Sequence, residues 1–211
     1  AMISKFRNGG QTCVCANRIL VQSGIHDAFV AELGKRVDAL TVGSGEDAGT
    51  DIGPMINNAA IAKINAHVAD ALAKGARRVT AKRDLDDRFA DPVVLEGATT
   101  DMKLASEETF GPVAPIFKFE TEEEALEIAN NTPFGLAAYF FTTDMARAFR
   151  FNDSLEFGLV GLNTGVLSHA EAPFGGVKSS GLGREGAREG IAEYLETKAF
   201  HLGGLSPSTS V

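Results

Sequence analysis

The segment Phe6–Arg18 reads FRNGGQTCVCANR, and the four residues after it read ILVQ. The apolar run Arg18–Gln22 predicts a short strand. The glycines and polar residues before it predict a turn, with Cys13 at the exposed end of that turn. Backbone N–H groups close to a sulfur favour a nucleophilic thiolate, so this turn is the first candidate for chemistry. The turn and strand are also the starting point for predicting the rest of the fold.

Helices and strands alternate along the remainder of the chain. We predict helices over His26–Leu40, Asn58–Lys74, Thr121–Asn130 and Met145–Asn152, and a short helix after Gly186. We predict strands over Arg77–Ala81, Pro92–Glu96, Val113–Phe119, Leu136–Thr142, Leu159–Asn163 and Lys198–Leu202. The glycine-rich stretches Thr41–Asn57 and Pro173–Gly186 predict loops. This alternation predicts an α/β fold with a largely parallel sheet.

Composition restricts the function classes. The 211 residues contain 20 Lys+Arg and 28 Asp+Glu, a net charge of −8, which argues against a nucleic-acid-binding surface. The apolar runs are far shorter than the roughly 20 residues of a membrane span, and no leader-like segment opens the sequence. The two cysteines are too few for a disulfide framework, so a reducing, cytoplasmic setting is expected.

Cys13 and Cys15 also have a plainer interpretation. Most free cysteines are small buried hydrophobic residues, and a CxC pair alone favours that role. A metal site is not predicted, because no second cluster of Cys or His completes four ligands. The histidines are scattered, so a Cys-His hydrolase would depend on a tertiary contact with Cys13.

Several stretches taken together resemble the aldehyde dehydrogenase superfamily, most closely its succinate-semialdehyde branch. They are the cysteine segment, Asp51–Ile56 (DIGPMI), Glu107–Pro112 (EETFGP), Asn130–Leu136 (NNTPFGL), Ala172–Lys178 (APFGGVK) and Gly190–Glu196 (GIAEYLE). The resemblance extends from Phe6 to about residue 205. It implies a three-layer α/β catalytic domain with a largely parallel twisted sheet and a C-terminal oligomerisation strand.

The resemblance assigns roles to single residues. Cys13 matches the nucleophile, which forms a thiohemiacetal and then a thioester, and its backbone N–H would supply half of an oxyanion hole. Glu108 matches the carboxylate that binds the ribose of NAD or NADP, and Phe110 matches a residue packed beside the cofactor. Without the resemblance, Glu108 would be interpreted as a loop carboxylate near a turn.

The resemblance also implies a substrate pocket. Arg7 and Ser168 match positions that bind the carboxylate of succinic semialdehyde, and Phe174 matches an aromatic wall of the tunnel. The alternatives are a surface guanidinium for Arg7 and a turn residue for Ser168. Cys15 matches a cysteine that can form a regulatory disulfide with the nucleophile, although simple packing is an equal alternative.

Members of the superfamily are more than twice as long as this chain. We therefore expect residues 3–190 to form the catalytic domain, residues 191–205 a C-terminal segment, and residues 206–211 a loose tail. The N-terminal cofactor domain, with its Glu-Leu-Gly-Gly base, is expected to be absent and to be a partner of this chain. A homo-oligomer is also expected, and the isolated chain is predicted to be inactive as a dehydrogenase. The alternatives are a non-catalytic folded or partner-binding module, a weak thiol esterase, or a dehydrogenase of different substrate choice.

Overall fold

The computed structural model describes residues 1–86 and 88–204. In these ranges the α-helices are α1 (Met2–Phe6), α2 (His26–Asp38), α3 (Asn58–Ala73), α4 (Lys103–Ser106), α5 (Glu122–Asn130) and α6 (Met145–Ser154). The strands are β1 (Ile19–Gln22), β2 (Arg77–Arg78), β3 (Val93–Glu96), β4 (Val113–Phe119), β5 (Phe134–Gly135), β6 (Ala137–Phe140), β7 (Leu159–Leu162) and β8 (Val177–Lys178). Short 3₁₀ segments occupy Arg7–Gly10, Ser23–Ile25 and Glu189–Tyr194. The predicted tail, residues 206–211, lies outside the described residues.

The main sheet has four strands in the order β1-β4-β3-β2. β4 lies at its centre and runs parallel to both β1 and β3, whereas the two-residue strand β2 is an antiparallel edge. A second parallel pair, β6 and β7, sets Tyr139 opposite Gly161. The prediction of an α/β fold with a largely parallel sheet is therefore confirmed.

The sheet is buried on both faces because alternate side chains of each strand point to opposite sides. Val93 and Leu95 belong to a core cluster that includes α3 residues such as Ile64. Val94, between them, belongs to a second cluster that includes Val37 of α2. Full burial of each such side chain contributes roughly 1.5–3 kcal/mol. The two clusters account for a helix–sheet–helix arrangement of three layers.

Local sequence signals set several element boundaries. Thr121 caps α5, and its side chain accepts a hydrogen bond from the backbone N–H of Glu124, as the Thr-Glu-Glu-Glu pattern predicts. Asn57 caps α3 in the same way through the N–H of Ala60. The predicted bounds of β4 match the structure. The bounds predicted for the helices α2, α3, α5 and α6 differ from the observed bounds by two residues at most.

Two predictions on the C-terminal third are wrong. Lys198–Leu202 does not form a strand, because these exposed residues have no hydrogen-bonded neighbouring strand in the described chain. The stretch Pro173–Gly186 is not loop throughout, because it contains β8, which pairs with β5. Both errors arise because strand formation depends on a partner that local sequence does not specify.

The fold brings two of the family-like stretches to one edge of the sheet. The cysteine segment ends just before β1, and the stretch Glu107–Pro112 ends just before β4. Because β1 and β4 are parallel neighbours, both segments lie at the amino-terminal edge. In the portion of the chain that the structure describes, no helix is long and apolar enough to cross a membrane.

Candidate active site

A left-handed stretch of backbone directs the cysteine segment onto the loop before β4. Asn8, Gly9 and Gly10 have φ values of 53°, 64° and 76°. A Cβ atom on Gly10 would lie 2.2 Å from the carbonyl oxygen of Gly111, so only glycine permits this approach. Gly10 is thus required by close packing between the two loops, whereas a Cβ atom on Gly9 would lie 2.8 Å from the Met55 side chain.

Cys13 lies on a tight turn with its thiol exposed. The turn is closed by the N–H of Cys15, which donates to the carbonyl oxygen of Thr12 at 3.0 Å. Cys13 is a free cysteine, and its backbone N–H has no acceptor among the described residues. An accessible sulfur and an unpaired N–H on the same residue are what a covalent nucleophile with its own oxyanion donor requires.

Cys15 is half-buried on the other side of this turn. Its sulfur is hydrogen-bonded with the hydroxyl of Thr12 and lies 3.9 Å from the carbonyl oxygen of Arg7. Both cysteines are present as free thiols. The disulfide between them therefore stays a prediction.

The loop that carries Glu108 is held by two side chains from other elements. The Asn17 amide group donates to the carbonyl oxygens of Leu104 and Glu107, and its oxygen accepts from the N–H of Thr109 at 3.0 Å. Buried His67 of α3 contacts the Thr109 hydroxyl at 3.0 Å and the Glu107 carboxylate at 3.1 Å. The cysteine segment and helix α3 thus fix the loop from two sides.

Glu108 and Phe110 project from this clamped loop into solvent. Phe110 has a φ of 53°, which is unusual for a bulky residue, and it is 38% exposed. The Glu108 carboxylate has no hydrogen bond or ion pair in the part of the chain described. A rigidly held carboxylate with unused acceptor capacity fits the ribose hydroxyls of a nicotinamide cofactor.

The three residues predicted to bind the substrate lie on separate segments of the chain. Arg7 is exposed, six residues before Cys13, and its guanidinium has no partner within the described ranges. Ser168 lies on an exposed loop whose Gly165 approaches Ile3 and Ser4 of α1, the helix that leads into Arg7. Phe174 is half-buried, and its backbone N–H and carbonyl group are paired with Glu185 rather than with the cysteine turn.

Two residues at the site were missed by the sequence analysis. Lys5, only 1% exposed, lies in α1, and burial lowers its pKa to about 8, opposed by the negative charges of Cys15 and Glu108. Tyr139 donates its hydroxyl to the carbonyl oxygen of Val14 at 2.8 Å. Lys5 directly precedes the segment Phe6–Arg18, and this position is the sequence signal that points to it. Tyr139 is 125 residues from its partner, so no local pattern indicates the contact.

The chain resembles known proteins over nearly all of its length. The sequence profile of the Aldehyde dehydrogenase family matches residues 1–200. Succinate-semialdehyde dehydrogenase [NADP(+)] of Escherichia coli is 50% identical over 96% of this chain and 42% of its own length. 3-Sulfolactaldehyde dehydrogenase of Pseudomonas putida is 52% identical over 97% of this chain and 43% of its own length.

Solved structures agree with these sequence matches. Succinate-semialdehyde dehydrogenase from Burkholderia pseudomallei superposes with a TM-score of 0.89 at 51% identity, over 92% of this chain and 40% of that one. The chain therefore spans about two fifths of the length of the relatives it matches. Proteins of this family use NAD or NADP. Within the described residues, no group of three or more His, Cys, Asp or Glu side chains could hold a metal ion.

Proposed function

This chain belongs to the aldehyde dehydrogenase family, and we propose that it is the catalytic portion of an NAD(P)-dependent enzyme that oxidises succinic semialdehyde to succinate. The observation that carries the proposal is the contact between two loops. The segment that leads into the turn of Cys13 packs against the loop of Glu108 at the Gly10–Gly111 approach. The proposed nucleophile and the proposed cofactor-binding carboxylate thus belong to segments that meet at the same edge of one sheet, which supports the proposal.

The chemistry begins at Cys13. Its thiolate attacks the aldehyde carbon, a C–S bond forms, and the carbonyl electron pair moves to oxygen. The unpaired N–H of Cys13 donates to that oxyanion, where negative charge develops. Loss of hydride from the same carbon leaves a thioester, and water then cleaves the thioester to release the acid and the thiol. Splitting the oxidation into two covalent halves is the advantage of a cysteine nucleophile.

The nicotinamide cofactor would supply the hydride acceptor when bound. Glu108 would accept hydrogen bonds from the ribose hydroxyls, since its carboxylate is exposed and unpaired within the described chain. Phe110, on the same loop, would pack beside the cofactor. Asn17 and His67 would keep this loop in place. The proposed setting is the reducing cytoplasm, which keeps both thiols free.

The substrate choice follows from charge. Succinic semialdehyde carries a carboxylate at the end remote from the aldehyde, so its pocket needs a cation and a hydroxyl donor. Arg7 has a guanidinium without a partner among the described residues, and Ser168 supplies a hydroxyl on the loop that approaches α1. Phe174 would be an aromatic wall of the tunnel in the complete enzyme. Among these three, the assignment of Arg7 is supported by its carbonyl oxygen, which lies 3.9 Å from the sulfur of Cys15 in the cysteine turn.

A second substrate is favoured by one comparison. The 3-sulfolactaldehyde dehydrogenase is as similar to this chain as the succinate-semialdehyde dehydrogenases are. Sulfolactaldehyde also bears an anion at the end remote from the aldehyde, and a guanidinium binds sulfonate and carboxylate alike. Comparison of kcat/KM for the two aldehydes decides between them.

The test uses this chain joined to the segments of the Escherichia coli relative that it does not match. We expect the chimera to reduce NAD or NADP with succinic semialdehyde, and Cys13→Ser to abolish that reduction. The isolated 211-residue chain is expected to give none, because the proposed cofactor domain lies outside it. A chimera that binds the cofactor but oxidises neither aldehyde would support the non-catalytic alternative.

The role of Arg7 is tested in the same chimera. Arg7→Ala should raise KM for succinic semialdehyde at least tenfold, because a charge-assisted hydrogen bond contributes about 1.5–3 kcal/mol, and it should leave KM for butanal nearly unchanged. Arg36→Ala, which removes an exposed guanidinium paired with Glu32 on α2, is the matched control. Equal losses on the charged and the uncharged aldehyde would show that Arg7 does not bind the carboxylate.

A further inference from the structure

Tyr139 reaches the cysteine turn from a different part of the molecule. It lies in β6, opposite Gly161 of β7. A Cβ atom on Gly161 would lie 3.3 Å from the Tyr139 ring and 2.6 Å from Leu167, so the absent side chain leaves room for both. The ring is therefore seated beside Gly161 and Leu167, while its hydroxyl donates to the carbonyl oxygen of Val14 at 2.8 Å.

This hydrogen bond acts on the peptide group that closes the turn. The carbonyl of Val14 and the N–H of Cys15 belong to one peptide unit. The carbonyl oxygen accepts from Tyr139, and the N–H donates to the carbonyl oxygen of Thr12. A donor on the carbonyl polarises the amide and strengthens the bond at its N–H. Both ends of the peptide are thus fixed, and Cys13 is held in the turn that they close.

The tyrosine is suited to be a permanent donor. Burial raises the pKa of Tyr139 to about 12, with the negative charges of Cys15 and Cys13 adding to the effect and Arg7 opposing it. The hydroxyl therefore stays protonated at any pH at which the thiols are used. Its neighbours are also the groups that the proposed reaction requires, namely the nucleophile, the second cysteine and the substrate cation.

We propose that Tyr139 is a positioning residue for the nucleophile, holding the Thr12–Cys15 turn so that the Cys13 sulfur and N–H face the substrate while Cys15 stays shielded. This inference rests on the proposed function, since it requires Cys13 to be the nucleophile. Tyr139 and Leu167, the residue before Ser168, both lie beside Gly161, so the ring is near the loop proposed to bind the substrate carboxylate.

The test measures the two thiols separately in the full 211-residue chain. Iodoacetamide alkylation is followed by peptide mass spectrometry, which gives one rate for Cys13 and one for Cys15. In the unmodified chain we expect Cys13 to react faster. Tyr139→Phe keeps the ring and removes only the hydroxyl. It should lower the Cys13-to-Cys15 rate ratio about fivefold, because one hydrogen bond of about 1 kcal/mol no longer holds the turn.

Two control variants separate positioning from general stability. Tyr194→Phe makes the same chemical change at an exposed tyrosine and should leave the ratio unchanged. Thr121→Ala removes the cap of α5, which costs about 1 kcal/mol away from the turn, and should also leave it unchanged.

Gly161→Ala keeps the hydroxyl but crowds the ring and Leu167, so it should lower the ratio as Tyr139→Phe does.

The possible results distinguish the two proposals. An unchanged ratio in Tyr139→Phe, with Cys13 still the faster thiol, would overturn the role of Tyr139 and leave the nucleophile intact. A similar fall in Thr121→Ala would also overturn it, because the effect would then reflect general destabilisation. If Cys13 is not the faster thiol in the unmodified chain, the proposed nucleophile fails, and the positioning role fails with it.

Discussion

The Lys5 side chain is only 1% exposed, and its ammonium group has no hydrogen bond or ion pair within the described residues. Burial lowers its pKa from 10.5 to about 8, opposed by the negative charges of Cys15 and Glu108. A lysine whose pKa is lower in the folded state binds fewer protons there than in the unfolded chain between pH 8 and 10.5. Its burial therefore destabilises the fold fully below pH 8, and the cost is relieved as the pH rises towards 10.5.

Lys5→Met is expected to stabilise the chain at pH 7. The gain in the free energy of unfolding should be roughly 3 kcal/mol, from a lowering of about 2.5 pKa units, and it should shrink steadily between pH 8 and 10. Urea unfolding of both proteins at several pH values measures this difference. Lys35→Met, at an exposed position of α2, should show no such trend. A gain that is the same at pH 7 and pH 10 would contradict the effect of the buried charge.

At the residue scale, the sequence predicts residues in turns but not side chains that make long-range contacts. The turn around Cys13 and the loop of Glu108 could be placed from sequence, because glycine and polar residues mark turns locally. The burial of Lys5 and the hydrogen bond of Tyr139 could not. They depend on side chains that meet only after β6 and α1 have packed near the turn. Contacts across such sequence separations have no periodic signal.

At the scale of elements, Asn17 joins the segment that precedes β1 to the residues that precede β4. It precedes β1, and its side chain makes one hydrogen bond to Leu104 of α4 and two to the loop that leads into β4. β1 and β4 are parallel, so no tight turn joins them directly. Side chains such as that of Asn17 therefore help to fix the relative position of the two segments that lead into these strands. Glu108 is carried by one of these loops and Cys13 by the other.

Asn17→Ala should loosen the Glu107–Phe110 loop without unfolding the chain. Loss of three hydrogen bonds should lower the free energy of unfolding by about 2–3 kcal/mol, at about 1 kcal/mol each. Backbone hydrogen exchange at Thr109, whose N–H donates to Asn17, should rise more than exchange in β4. Asn152→Ala, on the exposed face of α6, is the control. Equal increases throughout the sheet would show that Asn17 contributes only global stability.

The bounds of a helix or strand are predicted well where its own residues specify both its type and its start. Elements that depend on a distant partner are not. β4 combines β-branched and aromatic residues over seven positions, and α5 begins at a threonine cap followed by three glutamates. The two-residue strands β5 and β8 exist only because they pair with each other. Lys198–Leu202 has strand-like residues but no strand beside it in the described chain. Pairing across the fold, rather than propensity, decided these cases.

At the scale of the whole molecule, the exposed apolar residues are not evenly spread. The C-terminal segment carries Ile191, Leu195, Phe200 and Leu202, each more than half exposed. Met145 and Phe149 of α6 are also exposed, one helical turn apart. Exposed apolar surface promotes association when it is large. The segment Lys198–Leu202, which has no neighbouring strand in the described chain, additionally offers unpaired backbone groups to a second copy.

We therefore expect the purified chain to form a dimer or larger assembly in solution. Phe200→Ser combined with Leu202→Ser should shift it towards monomer, because the change removes apolar area from the segment that lacks a strand partner. Met145→Ser combined with Phe149→Ser alters the α6 surface by a comparable amount and is the matched control. Sedimentation velocity over a range of concentrations measures the shift. If the unsubstituted chain is a monodisperse monomer, the predicted oligomer is contradicted. An equal shift in both double variants would show that the association is unspecific rather than mediated by the Lys198–Leu202 segment.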